Sequence, residues 1–299
     1  MDSTSPSANW TRRPERGSLP LVRFMAWFSL AVGRPAARVL MRAIAVYFFL
    51  SSPRARRASR GYLRRVLGRE PTLAERFGLL LAFATTIHDR VYFLADRIDL
   101  FEVALHGAEA LPPGGAVLMG AHLGSFEALR AAARQIGHRR VAMTMYEVNA
   151  RLLHDVLAAI NPHALDDIVA LGHVGSMLEV RERLDAGYLV GVLADRTPGD
   201  EPVVRLPFLG EPAAFPTGPM RMAAALRQRV FLMVGLYRGG NRYEVRFEEI
   251  ADFTIAPAGR GEREALVNAA IARYVARLEH YCRAAPDNWF NFHDFWSKP

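Results

Sequence analysis

The segment AVLMGAHLGSFEALRAAARQ, starting at Ala116, joins an apolar run to a helical pattern, and the join carries His122 and, five positions on, Glu127. An imidazole whose Nδ1 is held by a carboxylate keeps Nε2 free to take a proton from a hydroxyl, and the carboxylate steadies the imidazolium that forms. On one continuous helix, residues five apart point about 140° apart. A turn before the helix removes that obstacle, because it swings His122 over the helix end, where Glu127 can reach Nδ1. Gly120 and Gly124 flank the histidine and permit a tight turn and a close approach of substrate to the backbone. Ser125 suits the N-cap, which puts Glu127 in a first turn where the dipole favours a carboxylate. The same residues also suit a core histidine beside an ordinary helix-start glutamate, and spacing alone does not choose between the two.

Other machinery is missing from the sequence. It contains no G-x-S-x-G elbow, Walker loop, G-x-G-x-x-G after a strand or H-E-x-x-H. His154, His163, His173 and His293 lack metal-ligand spacing, and the lone Cys282 excludes a multi-cysteine zinc site and an intrachain disulfide. The pattern therefore calls for no metal and no organic cofactor. Asp195 and Arg196, in LADRTPG, close another apolar run. Arg196 there suits a bidentate grip on a substrate phosphate, and the dipeptide equally suits a structural ion pair.

These residues need a scaffold that brings strand ends together. From residue 101 the sequence reads as short β-like runs, FEVALHG, AVLMGAH, VAMTMY, DIVAL, YLVGVLAD, VFLMVGLYR and RYEVRFEEI. Helical patterns at 125–137, 149–160, 173–187, 218–228 and 261–284 separate several of them. That alternation predicts an α/β fold with helices on both faces of the sheet, whose ligands bind beyond the carboxyl ends of strands. The GGN turn between the last two runs signals a hairpin, so the sheet is expected to be mixed. Residues 1–18 read as a flexible polar lead, 19–100 as a helical, basic segment and 101–299 as the α/β unit. Thr72 with Glu75 marks a capping box at the start of a long apolar helix.

The charge is uneven. The chain carries a net +8, and residues 1–70 alone carry +11, from 14 arginines against Asp2, Glu15 and Glu70, which leaves −3 elsewhere. The longest uncharged runs between Leu19 and Ser52 are Phe24–Gly33 and Ala43–Ser52, ten residues each. A spanning helix needs about 20. Two amphipathic helices split at Gly33–Pro35, with Arg23, Arg34, Arg38 and Arg42 on a polar face, fit an interfacial anchor on an anionic membrane surface. A pair of core helices with exposed arginines fits the same stretch. Because the charge rides on an apolar helical segment and not on a reading fold, no nucleic-acid partner is expected.

GAHLGSFEALR resembles the His-x4-Asp/Glu motif of the glycerolipid and lipid A acyltransferases. GRPAARVLMRAIAVYFFL and ASRGYLRRVLG resemble the N-terminal region of the late lipid A acyltransferases. LVGVLADRTPGDEPVVRLPFLGEPAAFPTGPMRMAAA resembles their central block, and PDNWFNFHDFW their C-terminal signature. The resemblance spans roughly residues 20–299. It implies a glycerol-phosphate-acyltransferase-like fold at the cytoplasmic face of the inner membrane. It also implies acyl transfer from a thioester, acyl carrier protein or coenzyme A, to a hydroxyl or amine of a lipid-like acceptor. On that resemblance His122 is the general base, Glu127 orients it, and Gly124, Ser125, Asp195 and Arg196 line the substrate site; the oxyanion donors are not legible in the sequence, and backbone N–H groups near Gly124 are candidates by position. One position departs: YEVN places Glu147 where many lipid A acyltransferases carry an arginine, which widens the expected acceptor beyond lipid A. A non-catalytic membrane-surface protein on the same fold is the competing expectation.

Overall fold

Helices come first and strands follow in the computed structural model, which describes residues 19–137, 139–146, 160, 166–173, 175–196, 201–255 and 259–296. In chain order the elements are α1 (Leu19–Val32), α2 (Arg34–Ser51), α3 (Pro53–Leu67) and α4 (Leu73–Leu94), then β1 (Glu102–His106), β2 (Ala116–Gly120), α5 (Phe126–Gln135), β3 (Val141–Tyr146) and β4 (Ile168–Leu171). There follow α6 (Ser176–Asp185), β5 (Leu189–Leu193), β6 (Val203–Phe208), β7 (Glu211–Pro216), α7 (Gly218–Ala225), β8 (Arg229–Tyr237), β9 (Arg242–Asp252) and α8 (Arg260–Ala284). The expected polar lead, the helical pattern before residue 160 and Glu147 lie outside the described residues.

Seven strands form one sheet in the order β1-β9-β8-β2-β5-β3-β4. Neighbours run parallel except β8 and β9, joined by the hairpin that GGN announced. All five residues of β2 are buried, as a central strand covered on both faces requires. Alternate residues feed two cores. Val117 and Met119, Val190 and Val192, and Val230, Leu232 and Val234 face α3, α7 and α8. Leu118, Leu189, Phe231 and Met233 face α5 and the end of α4. This two-residue period is the pleat of the strand expressed as two packing layers. The short ribbon β6–β7 was not anticipated: Pro207, Pro212 and Pro216 interrupt its alternation. A two-stranded ribbon tolerates proline because its outer edges need no partner.

The capping box is present: Thr72 Oγ1 accepts from the Glu75 N–H, and the Glu75 carboxylate accepts from the Thr72 N–H. By length and composition α4, with 22 residues, is apolar enough to cross a membrane, yet half of its most apolar window is buried inside the protein. α1 and α2 break at Gly33, next to Pro35, as expected. Arg34, one of the arginines expected on their polar face, is not there. Arg34 is buried, and its Nε and Nη2 donate to the two oxygens of Asp89 on α4 at 2.8 and 2.7 Å. Tyr243 of β9 adds a third hydrogen bond to Asp89, at 2.8 Å. Arg34 faces inward because it opens α2 where that helix crosses α4 and the β8–β9 turn, whose Gly240 carbonyl it also binds.

Candidate functional site

Register builds the site. β2 and β5 lie side by side in parallel with Gly120 opposite Leu193. His122 and Asp195 each stand two residues beyond those ends, so the chain delivers both to one place. His122 Nδ1–H donates to Asp195 Oδ1 at 2.8 Å. The other carboxylate oxygen accepts from Trp289 Nε1 at 3.1 Å and, more weakly, from Arg196 Nη2 at 3.4 Å. Asp195 is fully buried, while the His122 side chain is 37% exposed. Among the described residues no hydrogen bond reaches Nε2 of His122.

The loop that carries His122 is clamped from three sides. Tyr274 of α8 donates its hydroxyl to the Gly120 carbonyl at 2.8 Å. The Phe290 N–H donates to the His122 carbonyl at 2.8 Å, and the Gly124 N–H donates to the Asn288 carbonyl at 2.9 Å. The Ser125 N–H donates to the Gly235 carbonyl of β8 at 2.7 Å. Gly124 has φ +72°, and a Cβ there would lie 1.9 Å from the Gly235 oxygen, so only glycine fits.

Several expectations need correction at this point. Glu127 does not bind His122. Its Oε1 lies 2.7 Å from Arg90 Nε of α4, and its Oε2 accepts a long 3.5 Å hydrogen bond from Ser125 Oγ. Glu127 sits in the first turn of α5 on the side packed against α4, whereas Nδ1 of His122 points toward the end of β5. Ser125 is buried as the helix cap, accepting from the Ala128 N–H at 3.3 Å. The Gly124 and Ser125 N–H groups are spent on backbone carbonyls, so neither is free to meet an oxyanion. Asp195, expected to line the substrate site, is the Nδ1 partner. Arg196 also donates to the Phe290 carbonyl at 3.3 Å, and its buried Nε has no hydrogen-bond partner among the described residues.

The electrostatics favour a neutral imidazole. Burial pushes the His122 pKa down, the positive charge of Arg196 pushes the same way, and Asp195 opposes both without reversing the result. For Asp195 burial acts upward, but the charges of His122 and Arg196 and the hydrogen bonds from His122 and Trp289 outweigh it. They hold the carboxyl well below the usual carboxylate range. An ionised carboxylate on Nδ1 and an uncharged ring fix the tautomer whose Nε2 lone pair can accept a proton. Among the described residues no group of three or more His, Cys, Asp or Glu side chains is placed to hold a metal.

The model of one protein family, described as bacterial lipid A biosynthesis acyltransferase, matches residues 11–298. The chain belongs to that family. It is an acyltransferase, and so takes an acyl donor and a lipid acceptor. The competing expectation of a non-catalytic surface protein falls with that membership. Comparison with curated proteins gave no match. In this acyltransferase the C-terminal aromatic segment belongs to the site as well as to the core. Trp289 is fully buried, packs edge-on against Tyr62 and Phe208, and hands its indole N–H to Asp195. Trp289 and Arg90 are the site residues that sequence reasoning missed. In the sequence the run NWFNFHDFW reads as an aromatic wedge against the body or the membrane interface, or as an acyl-chain contact, with no sign of a bond to Asp195, and nothing brings Arg90 from α4 to Glu127.

Proposed function

We propose that this acyltransferase moves a fatty acyl group from a thioester donor to a hydroxyl, or an amine, of a lipid-like acceptor, with His122 as general base. The hydrogen bond from His122 Nδ1 to buried Asp195, with Nε2 left open, carries the reading. Nε2 takes the proton as the acceptor oxygen attacks the thioester carbon. The tetrahedral oxyanion then collapses, the C–S bond breaks, and the departing sulfur takes the proton back from the imidazolium. Arg196, whose Nε has no partner among the described residues, supplies positive charge for the oxyanion or a substrate phosphate. Glu127 acts by holding Arg90 beside this site. The chemistry asks for no cofactor.

The donor is read as acyl carrier protein, an acidic protein, because Arg54, Arg57, Arg60 and Arg64 of α3 are exposed on one basic helix. The protein is placed peripherally on the cytoplasmic face of the inner membrane. Trp27, Tyr47 and Leu50 of α1 and α2 are 64%, 63% and 65% exposed, and Arg42 of α2 is exposed as well. Replacing His122 by alanine tests the base. Thioester-dependent acylation is expected to fall by about 10²–10⁴-fold while binding to anionic vesicles is kept. Turnover near the wild-type rate would overturn the assignment.

A further inference from the structure

α2, α3 and α4 enclose a cavity of about 320 Å³ whose walls are almost wholly apolar. Met41, Ala45 and Phe48 of α2, Ala84 and Ile87 of α4 and Phe292 supply much of the lining. Two cations break the pattern. Arg56 and Arg76 also line the cavity, and both guanidinium groups lie 5.8 Å from the ring of Phe49. Both therefore stand at the Phe49 side of the cavity. Neither has a carboxylate partner among the described residues, and Arg76 Nε is buried without a hydrogen bond. This contrasts with Arg60, Arg65 and Arg69 nearby, each paired with a glutamate.

We propose that this cavity holds one hydrocarbon chain of an anionic membrane phospholipid, with the phosphate on Arg56 and Arg76, as a lipid site separate from the reacting thioester. Direction decides between this and a pocket for the reacting chain. Arg76 and Arg90 stand on one helix 14 residues apart, roughly 21 Å at about 1.5 Å per residue. Arg90 marks the catalytic end through Glu127, and Ile87 lies one turn from it. A chain entering from His122 would push its methyl end against two guanidinium groups and an unpaired buried N–H, an unfavourable ending. A chain entering from the opposite end puts its phosphate on those groups and its apolar length along Ala84 and Ile87. Leu50, next in sequence to Phe49, and Leu73, one turn before Arg76, are 65% and 68% exposed, and Leu50 belongs to the side chains assigned above to the membrane. The proposal rests on that membrane reading.

The test uses the full chain in detergent with added phosphatidylglycerol or phosphatidylcholine, followed by native mass spectrometry. A one-to-one adduct with phosphatidylglycerol is expected, and only a weak one with phosphatidylcholine. R56Q/R76Q should weaken the adduct by about tenfold or more, since each lost charged hydrogen bond is a substantial part of such an affinity. Ala84→Trp should abolish it by filling the cavity. R56Q/R76Q leaves the apolar packing intact and carries the test if Ala84→Trp fails to fold. Equal adducts from both lipids, or from wild type and R56Q/R76Q, would overturn the site. So would a shift toward shorter donors in Ala84→Trp, which would hand the cavity to the reacting chain. Sedimentation of the wild type with phosphatidylglycerol vesicles is scored separately. Loss of sedimentation with the adduct kept refutes the membrane placement alone, and loss of the adduct with sedimentation kept refutes the lipid site alone.

Discussion

Arg196 acts on His122 through charge, and that gives the site a pH signature. Burial and Arg196 together lower the imidazole pKa, so the base stays neutral, and the enzyme active, to below the ordinary histidine value of about 6.5. Activity is lost as pH falls through the lowered pKa and protonates Nε2. The acidic limb of kcat/KM is therefore expected below about 6.5 in wild type and at higher pH in Arg196→Gln, where one source of the lowering is gone. An unmoved limb in that variant would mean that Arg196 does not set the base. The sequence placed His122 correctly at a strand end and singled out Asp195 and Arg196. It assigned the Nδ1 contact to Glu127 because a five-residue offset is a local relation, whereas the contact with Asp195 crosses 73 residues.

At the scale of elements, α2 is part of the core and not a detachable anchor. Its Ala37, Met41 and Ala45 are buried, and the Arg34–Asp89 pair ties it to α4. Removing Arg34 leaves a fully buried carboxylate without its bidentate partner. Arg34→Leu is expected to cost about 3–5 kcal/mol, read as a lowered midpoint in denaturant unfolding. The added change Asp89→Leu should recover much of that loss, because the stranded charge goes with it. A single variant as stable as wild type would show that the pair does not lock α2. The helix itself was legible, since Gly33 and Pro35 punctuate it, but the inward turn of Arg34 was not. An arginine on an amphipathic pattern reads as solvent-facing until a partner from another helix is placed beside it.

At the scale of the whole molecule, α1 and α2 expose aromatic and aliphatic side chains together with Arg42. Deleting α1 and α2 would test a membrane contact there poorly, because the core would go too. Exchanging Val39, Tyr47 and Leu50 together for serine removes side chains that are 65%, 63% and 65% exposed. Association with anionic vesicles should weaken by at least about tenfold, with the unfolding midpoint unchanged. Undiminished sedimentation would place the membrane contact elsewhere. The same scale explains the anion site proposed between α2, α3 and α4, since Arg56 and Arg76 are 20 residues apart in sequence and stand beside the one Phe49 ring only when three helices close.

The sequence by itself determined most of the elements, the β6–β7 ribbon excepted: apolar runs and their periods, the capping box at Thr72, the break at Gly33, the GGN hairpin and the histidine at a strand end. These are written in local propensity and spacing, which a chain carries before it folds. Tertiary structure alone decided the partners. The parallel register of β2 and β5 set Asp195 on His122, the packing of α5 on α4 gave Glu127 to Arg90, and the return of the C-terminal segment brought Trp289 to Asp195. Each of these contacts joins residues far apart in sequence. Their geometry is fixed by how strands align and helices pack, and no local pattern encodes it.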